Sequence, residues 1–310
     1  MPTRRPAALL LALVALPTLL AACGDDDTAD TGAPGAETTT PPEDTTPATD
    51  ADAPDHIVSL SPTATEMLFA IGAGDQVVAV DDQSDYPPEV PTTDLSGYEP
   101  NVEAIAAYEP DLVVISGGPD DLVSGLEAVG AEVLTLPAAT TLDDTYDQLE
   151  QLGEATGHED EAAGVAAGIE ADIADLVAQV PTAPADPPTY YHELDDQLYS
   201  VTSETFIGQL YGLAGLQSVA DAADPNGDLG GYPQLSAEYL VEADPDFVFL
   251  ADTECCAQDA TTFAARPGFG DLTAVTQDHV VLMSDDIASR WGPRVVDFLR
   301  SVIEATAPAA

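Results

Sequence analysis

Two stretches carry the same pattern: Glu103-Ala-Ile-Ala-Ala-Tyr-Glu-Pro110-Asp111-Leu-Val-Val-Ile115, and, 135 positions later, Glu238-Tyr-Leu-Val-Glu-Ala-Asp-Pro245-Asp246-Phe-Val-Phe-Leu250. Each opens with a Glu at the start of a short helical run. Each breaks at a Pro-Asp pair seven residues on, where proline cannot continue a helix. Each then continues as an apolar strand. Two copies of one unit predict two similarly built α/β domains, each presenting one carboxylate at an equivalent place.

The flanking sequence repeats the alternation. His56-Ile-Val-Ser-Leu-Ser61-Pro62 reads as a strand ending in a loop, and Thr65 caps an apolar helix that closes at Gly72. Gln76 to Val80 and Glu132 to Leu136 are further strands, Asp85-Tyr86-Pro87-Pro88 is a rigid turn, and Leu122 to Val129 is a helix. This order predicts a parallel sheet with helices on its faces. From about Glu159 to Val180 the pattern changes. Ala162, Val165, Ala166, Ile169, Ile173, Leu176 and Val177 form one apolar stripe at helical spacing, with no proline until Pro181. The expected organisation is a lobe over residues 55–157, a connecting helix over 158–182 and a second lobe over 183–310, which begins its strands at Thr189-Tyr190-Tyr191.

Residues 1–23 have the three parts of an export signal: Arg4 and Arg5, an apolar run from Ala7 to Leu20, and small residues before a cysteine. The run is short for a membrane span and contains Pro17. Leu20-Ala21-Ala22-Cys23 resembles a bacterial lipobox, which implies cleavage before Cys23 and its acylation. Residues 24–54 are Asp, Thr, Pro, Ala and Gly with almost no large apolar side chain, the composition of a disordered tether. The expected location is the extracytoplasmic face of a cell membrane, held by the lipid.

The chain has no lysine, and its formal charge is −51. Loss of Arg4 and Arg5 with the signal would take it to −53, leaving Arg266, Arg290, Arg294 and Arg300 against 57 acidic residues. A field of that sign repels nucleic acid and anionic lipid headgroups. Without lysine there is no Walker-type phosphate loop, no lysine Schiff base and no Ser-Lys pair.

Other motifs read blandly. Gly72-Ala-Gly74 closes a helix and lacks the third glycine of a dinucleotide site. His192-Glu193 has no second histidine, and the four histidines are scattered, so no metal site and no cofactor is assigned. Asp224-Pro-Asn226-Gly-Asp228 has the oxygen spacing of a calcium loop, but Leu229 stands at the turn, so it reads as a polar turn. Cys255 and Cys256 are adjacent; in an oxidising compartment a disulfide between them and a pair of free thiols both stay open. Arg290-Trp291-Gly292-Pro293-Arg294 lies between a strand and the last helix, where it can face a cleft outside the carboxyl ends of the strands. Tyr86, Tyr98 and Tyr232 sit in comparable loops, and with His192, Arg290 and Trp291 they make the candidate ligand-binding set.

On Val58-Ser-Leu-Ser-Pro62 with Thr65-Glu66, Ser84-Asp-Tyr-Pro87, Asn101-Val-Glu103, Pro110-Asp111, Tyr232-Pro-Gln-Leu-Ser-Ala-Glu238, Arg266-Pro-Gly268 and Gly292-Pro-Arg294, the chain resembles a known family. These are the substrate-binding lipoproteins of ABC importers for cobalamin and iron–siderophore complexes. The resemblance implies two Rossmann-like lobes joined by one long helix, a ligand groove between them and little closure. It implies a monomer, not an enzyme, that captures a metal chelate and delivers it to a membrane permease. It also implies that Glu103 and Glu238 dock onto that permease. With so few basic residues, a cobalamin or neutral siderophore is favoured over an anionic catecholate. The alternatives are a haem or free-metal-ion binder, or an enzyme using paired carboxylates.

Overall fold

The computed structural model describes residues 53–181 and 185–307; the expected signal, Cys23 and the tether up to residue 52 lie outside them. The first lobe runs β1 (Ile57–Leu60), α1 (Pro62–Ala70), β2 (Val77–Val80), α2 (Val102–Ala106), β3 (Leu112–Ile115), α3 (Asp120–Ala128) and β4 (Glu132–Thr135). After α4 (Leu142–Thr156) and α5 (Glu159–Val177) comes the second lobe. It runs β5 (Thr189–Glu193), α6 (Phe206–Leu213), β6 (Gln217–Ser218), α7 (Ala237–Ala243), β7 (Phe247–Leu250) and α8 (Ala260–Ala264). It ends with α9 (Thr273–Thr276), β8 (Val280–Leu282), α10 (Asp285–Ser289) and α11 (Val295–Thr306). Both sheets are parallel, in the orders β2-β1-β3-β4 and β6-β5-β7-β8, so the second lobe repeats the topology of the first.

The duplicated sequence pattern has a duplicated physical cause. Asn101 and Ser236 cap α2 and α7 by accepting the amides of Ala104 and Tyr239. Glu109 and Asp244, each just before the proline, take left-handed backbone angles (φ 51° and 42°) that turn the chain from helix into strand. The aspartate after the proline then ties the neighbouring strand. Asp111 accepts the amides of Asp55 and His56 before β1, and Asp246 accepts the amide and hydroxyl of Thr189 at the start of β5. β1, β3 and β7 are buried at every position, because helices cover both faces of a parallel sheet.

The helix expected over residues 158–182 is α5. α5 spans Glu159–Val177, and its buried residues Ala162, Ala166, Ile169, Ile173 and Leu176 are the core of the apolar stripe. A second helix, α4, precedes it and packs along it. Thr141 and Asp144 cap α4 reciprocally. Gly153 lets the pair approach: a Cβ there would stand 2.5 Å from the Cβ of Ala162. One hydrophobic core runs from Met67 and Leu68 in the first lobe, through α4 and α5, to Tyr211, Phe249 and Phe298 in the second.

Candidate functional site

In a parallel sheet the residues just past the strands' carboxyl ends are free to line a site. Here the segments following β1, β2 and β3 meet α10 and the turn after it. Ser61, Thr63, Asp81, Gln83, Tyr98 and Ser116 from the first lobe, with Asp286, Ser289, Arg290 and Trp291 from the second, line a cavity of about 440 Å³. A second cavity, about 710 Å³, lies between residues 138–140 of the first lobe and Thr202, Glu204, Asn226 and Tyr232 of the second. Both lie between the lobes and together mark an interlobe groove.

The first-lobe wall is shaped by close backbone approach. Gly97 admits no side chain, since a Cβ would lie 2.6 Å from an oxygen of Asp81 and 2.8 Å from the carbonyl of Leu60. Asp81 itself is buried, and that burial raises its pKa, favouring the uncharged acid.

One flank of the groove is locked by charge. Glu66, on α1 and only 3% exposed, accepts from Arg290 at 2.9 Å and from Arg294 at 2.9 and 2.5 Å. Arg290 also donates to Asp85, Asp286 and the carbonyl of Gln83. Arg294 lies over the ring of Tyr86, 4.2 Å from its centroid. Trp291 adds a further tie: its indole donates to Gln148 of α4, and its carbonyl accepts from Thr145. Asp286 sits beside Asp85 as well as the two arginines; burial, the largest influence, lifts its carboxyl to about 6.

The second lobe holds another charge cluster at the ends of β5 and β7. Arg266 pairs in bidentate fashion with buried Glu193 (2.7 and 2.6 Å), which also accepts from Tyr191. Asp252 is fully buried, and neither of its carboxylate oxygens accepts a hydrogen bond among the described residues. Burial, then the neighbouring Glu193, pushes it up to about 7.

The structure sorts the sequence-derived candidates. Tyr98, Arg290 and Trp291 share the smaller cavity, and Tyr232 lines the larger. Arg290 is not free to meet a ligand charge, because three carboxylates and a carbonyl already hold its guanidinium. Tyr86 lies in neither cavity; it faces a separate hollow with Phe69, Glu89 and Asp297 on the far side of Arg294. His192 requires a correction as a ligand contact. It is fully buried on the β5 face that packs against α6, Nδ1 is 2.8 Å from the hydroxyl of Tyr211, and burial lowers its pKa to about 3.

Glu103 and Glu238 are both exposed, each the second residue of a helix entered from the carboxyl end of its sheet. Cys255 and Cys256 are joined as a disulfide in an exposed turn. Asp224 accepts the amides of Leu229 and Gly231, which organises its loop as a polar turn. Among the described residues no cluster of three or more His, Cys, Asp or Glu is placed to hold a metal.

Sequence reasoning missed Glu66, Asp81 and Asp252. Ser61, at the end of β1 and capping α1, carried a usable signal: a strand stopping at Ser-Pro marks the carboxyl edge of a parallel sheet.

Comparison with known proteins agrees with this geometry. The ABC transporter substrate-binding lipoprotein YvrC of Bacillus subtilis is 28% identical over 263 residues, covering 82% of this chain and 81% of that one. A Halobacterium salinarum protein named cobalamin-binding protein is 31% identical over 252 residues, covering 79% of this chain and 67% of its own. The periplasmic vitamin B12 binding protein BtuF of Vibrio cholerae superposes with a TM-score of 0.64 at 25% identity, over 82% of this chain and 96% of that one. The Vibrio cholerae haem-binding protein HutB superposes at 0.72 with 22% identity, over 82% and 99% of the two chains, a likeness of fold. The family model described as periplasmic binding protein matches residues 57–287, and the chain belongs to that family.

Proposed function

We propose that the chain is a lipid-anchored substrate-binding protein that captures a metal chelate of the cobalamin type in the interlobe groove and delivers it to an ABC importer. It performs no bond chemistry. The observation that carries this reading is the state of the basic residues. Arg266, Arg290, Arg294 and Arg300, the only basic side chains of the described part other than histidine, are all engaged with carboxylates. The groove therefore offers an anionic ligand no unpaired cation. It offers hydroxyls, the buried carboxyl of Asp81, and the side chains of Tyr98, Tyr232 and Trp291. Such a lining suits a large, uncharged or cationic chelate. The names of the halobacterial and Vibrio relatives support a corrinoid; a hydroxamate ferric siderophore has compatible charge. Haem fits less well, because its two propionates would enter a groove that is lined by Asp286 and Glu204 and has no unpaired cation.

Titration of the full chain with cyanocobalamin, ferrioxamine and haem by calorimetry tests this. Saturable binding of cyanocobalamin at micromolar concentration or below, with haem at least about tenfold weaker, is expected; tenfold corresponds to about 1.4 kcal/mol. Haem binding tighter than both uncharged and cationic chelates would sink the charge argument.

Docking to the permease is assigned to Glu103 and Glu238, one on each lobe at corresponding positions. Replacing both with Ala should leave cyanocobalamin affinity within about twofold and abolish uptake in cells, since exposed carboxylates contribute little within their own chain. A large loss of affinity would place them in the groove instead. Anchoring is assigned to Cys23, after removal of residues 1–22. A Cys23→Ala chain should no longer partition with membranes, and unchanged partitioning would require another anchor.

A further inference from the structure

We propose that Cys255–Cys256 is a thiol–disulfide exchange site, open to a reducing dithiol, whose state is transmitted through Asp285 to the groove wall. Both cysteines are exposed, so an attacking thiol has access. Four of the hydrogen bonds that hold the turn carrying them end on one carboxylate. Asp285 accepts the amides of Thr253 (2.8 Å), Glu254 (3.1 Å) and Cys255 (2.7 Å) and the hydroxyl of Thr253 (3.1 Å). Gln258 donates to the carbonyl of Cys256 and accepts from Arg266. Ala257, the residue after the pair, sits at φ 53°, a left-handed conformation that a residue with a Cβ resists by about 1 kcal/mol.

Asp285 is also the first residue of α10, a helix of only five residues. Its next residue, Asp286, holds Arg290 at 2.6 Å, and Arg290 and Trp291 both line the smaller cavity. One short helix thus has the disulfide turn at its start and the lobe junction at its end. While the sulfurs are bonded, the turn presents three amides in the arc that Asp285 needs. Exchange proceeds by attack of one thiolate of the dithiol on a sulfur of the pair, through a mixed disulfide that the second thiol resolves. The protein gains two thiols and the dithiol becomes its own disulfide. The freed turn can then release Ala257 from its left-handed angle, and Asp285 loses its arc of donors.

The test needs no knowledge of the ligand and so stands apart from the cobalamin reading. Trp291 is the only tryptophan of the chain and reports on α10 directly. The full chain is treated with dithiothreitol, and new thiols, tryptophan emission and amide exchange over residues 253–255 and 285–291 are followed. We expect a gain of two thiols, a reversible change in emission, and exchange at 253–255 faster by at least about tenfold, which is about 1.4 kcal/mol of lost protection. Cys255→Ser with Cys256→Ser should show the reduced emission from the start and no response to dithiothreitol. Asp285→Asn should gain the two thiols with its tryptophan response lost. No gain of thiols overturns the exchange site. Two thiols with unchanged emission and exchange, or a full tryptophan response in Asp285→Asn, overturns the coupling.

Discussion

Replacing Glu66 with Ala should cost about 3–5 kcal/mol of stability, the usual consequence of removing one partner from a buried ion pair. The residue is 3% exposed and serves two guanidinium groups, whose side chains are only 8% and 15% exposed. Without it Arg290 keeps Asp85 and Asp286, but Arg294 keeps only the face of Tyr86 and an oxygen of Asp286 at 4.0 Å. The loss is therefore an uncompensated, partly buried charge rather than a missing contact. For a folded part of this size it should lower Tm by roughly 10 °C. Glu66→Gln keeps an acceptor for one arginine and should lose less. Because Glu66 lies in the first lobe and both arginines in the second, Glu66→Ala should also let the lobes separate at that flank, which small-angle scattering would register as a larger radius of gyration. A Tm within about 2 °C of the parent would mean that the network adds little beyond the apolar junction.

That network also explains where sequence reading stopped. The repeated Pro-Asp units were legible because what turns the chain there is local: a cap, a left-handed residue before proline, and a strand. α5 was legible from its stripe. α4 went unread although Thr141, Leu142, Tyr146, Leu149 and Leu152 carry a cap and helical spacing. The functional role of Arg290 was beyond reach for a different reason. Its carboxylate partners Glu66 and Asp85 stand 224 and 205 positions away, so a cation that the sequence offered to a ligand is consumed inside the protein. His192 failed in the same way. A strand covered on both faces buries Tyr190 through Glu193, and alternation alone does not reveal which of its polar residues reaches the groove.

Two buried groups, the misread His192 and the unread Asp252, set opposing slopes on stability against pH. Asp252 has its carboxyl raised from 3.8 to about 7 by burial and Glu193, so between about pH 4 and 7 the folded chain holds a proton that the unfolded chain has released. Acidification through that window stabilises the fold, and the benefit is lost as pH rises toward 7. His192 has its imidazole lowered from 6.5 to about 3, so below pH 6.5 the unfolded chain binds a proton that the folded chain refuses. Acidification through that window destabilises the fold. Each slope is worth at most about 1.4 kcal/mol per pH unit, and over roughly pH 4 to 6.5 they nearly cancel. Asp286, raised to about 6 but partly exposed and beside two arginines, adds a weaker slope of the same sign as Asp252.

The parent should therefore show a shallow profile that hides both terms, and single replacements should uncover them. Asp252→Asn removes one slope, so chemical denaturation should find its stability falling steadily from pH 6.5 to 4. At pH 8 the same variant should be more stable than the parent by about 1–3 kcal/mol, because an amide that can donate to Glu193 replaces an ionised carboxylate without a partner. His192→Gln, which can still bond the Tyr211 hydroxyl, should reverse the acid slope. A loss of stability for Asp252→Asn at pH 8 would mean that the ionised carboxylate is stabilised where it stands, and burial would not be what sets its slope.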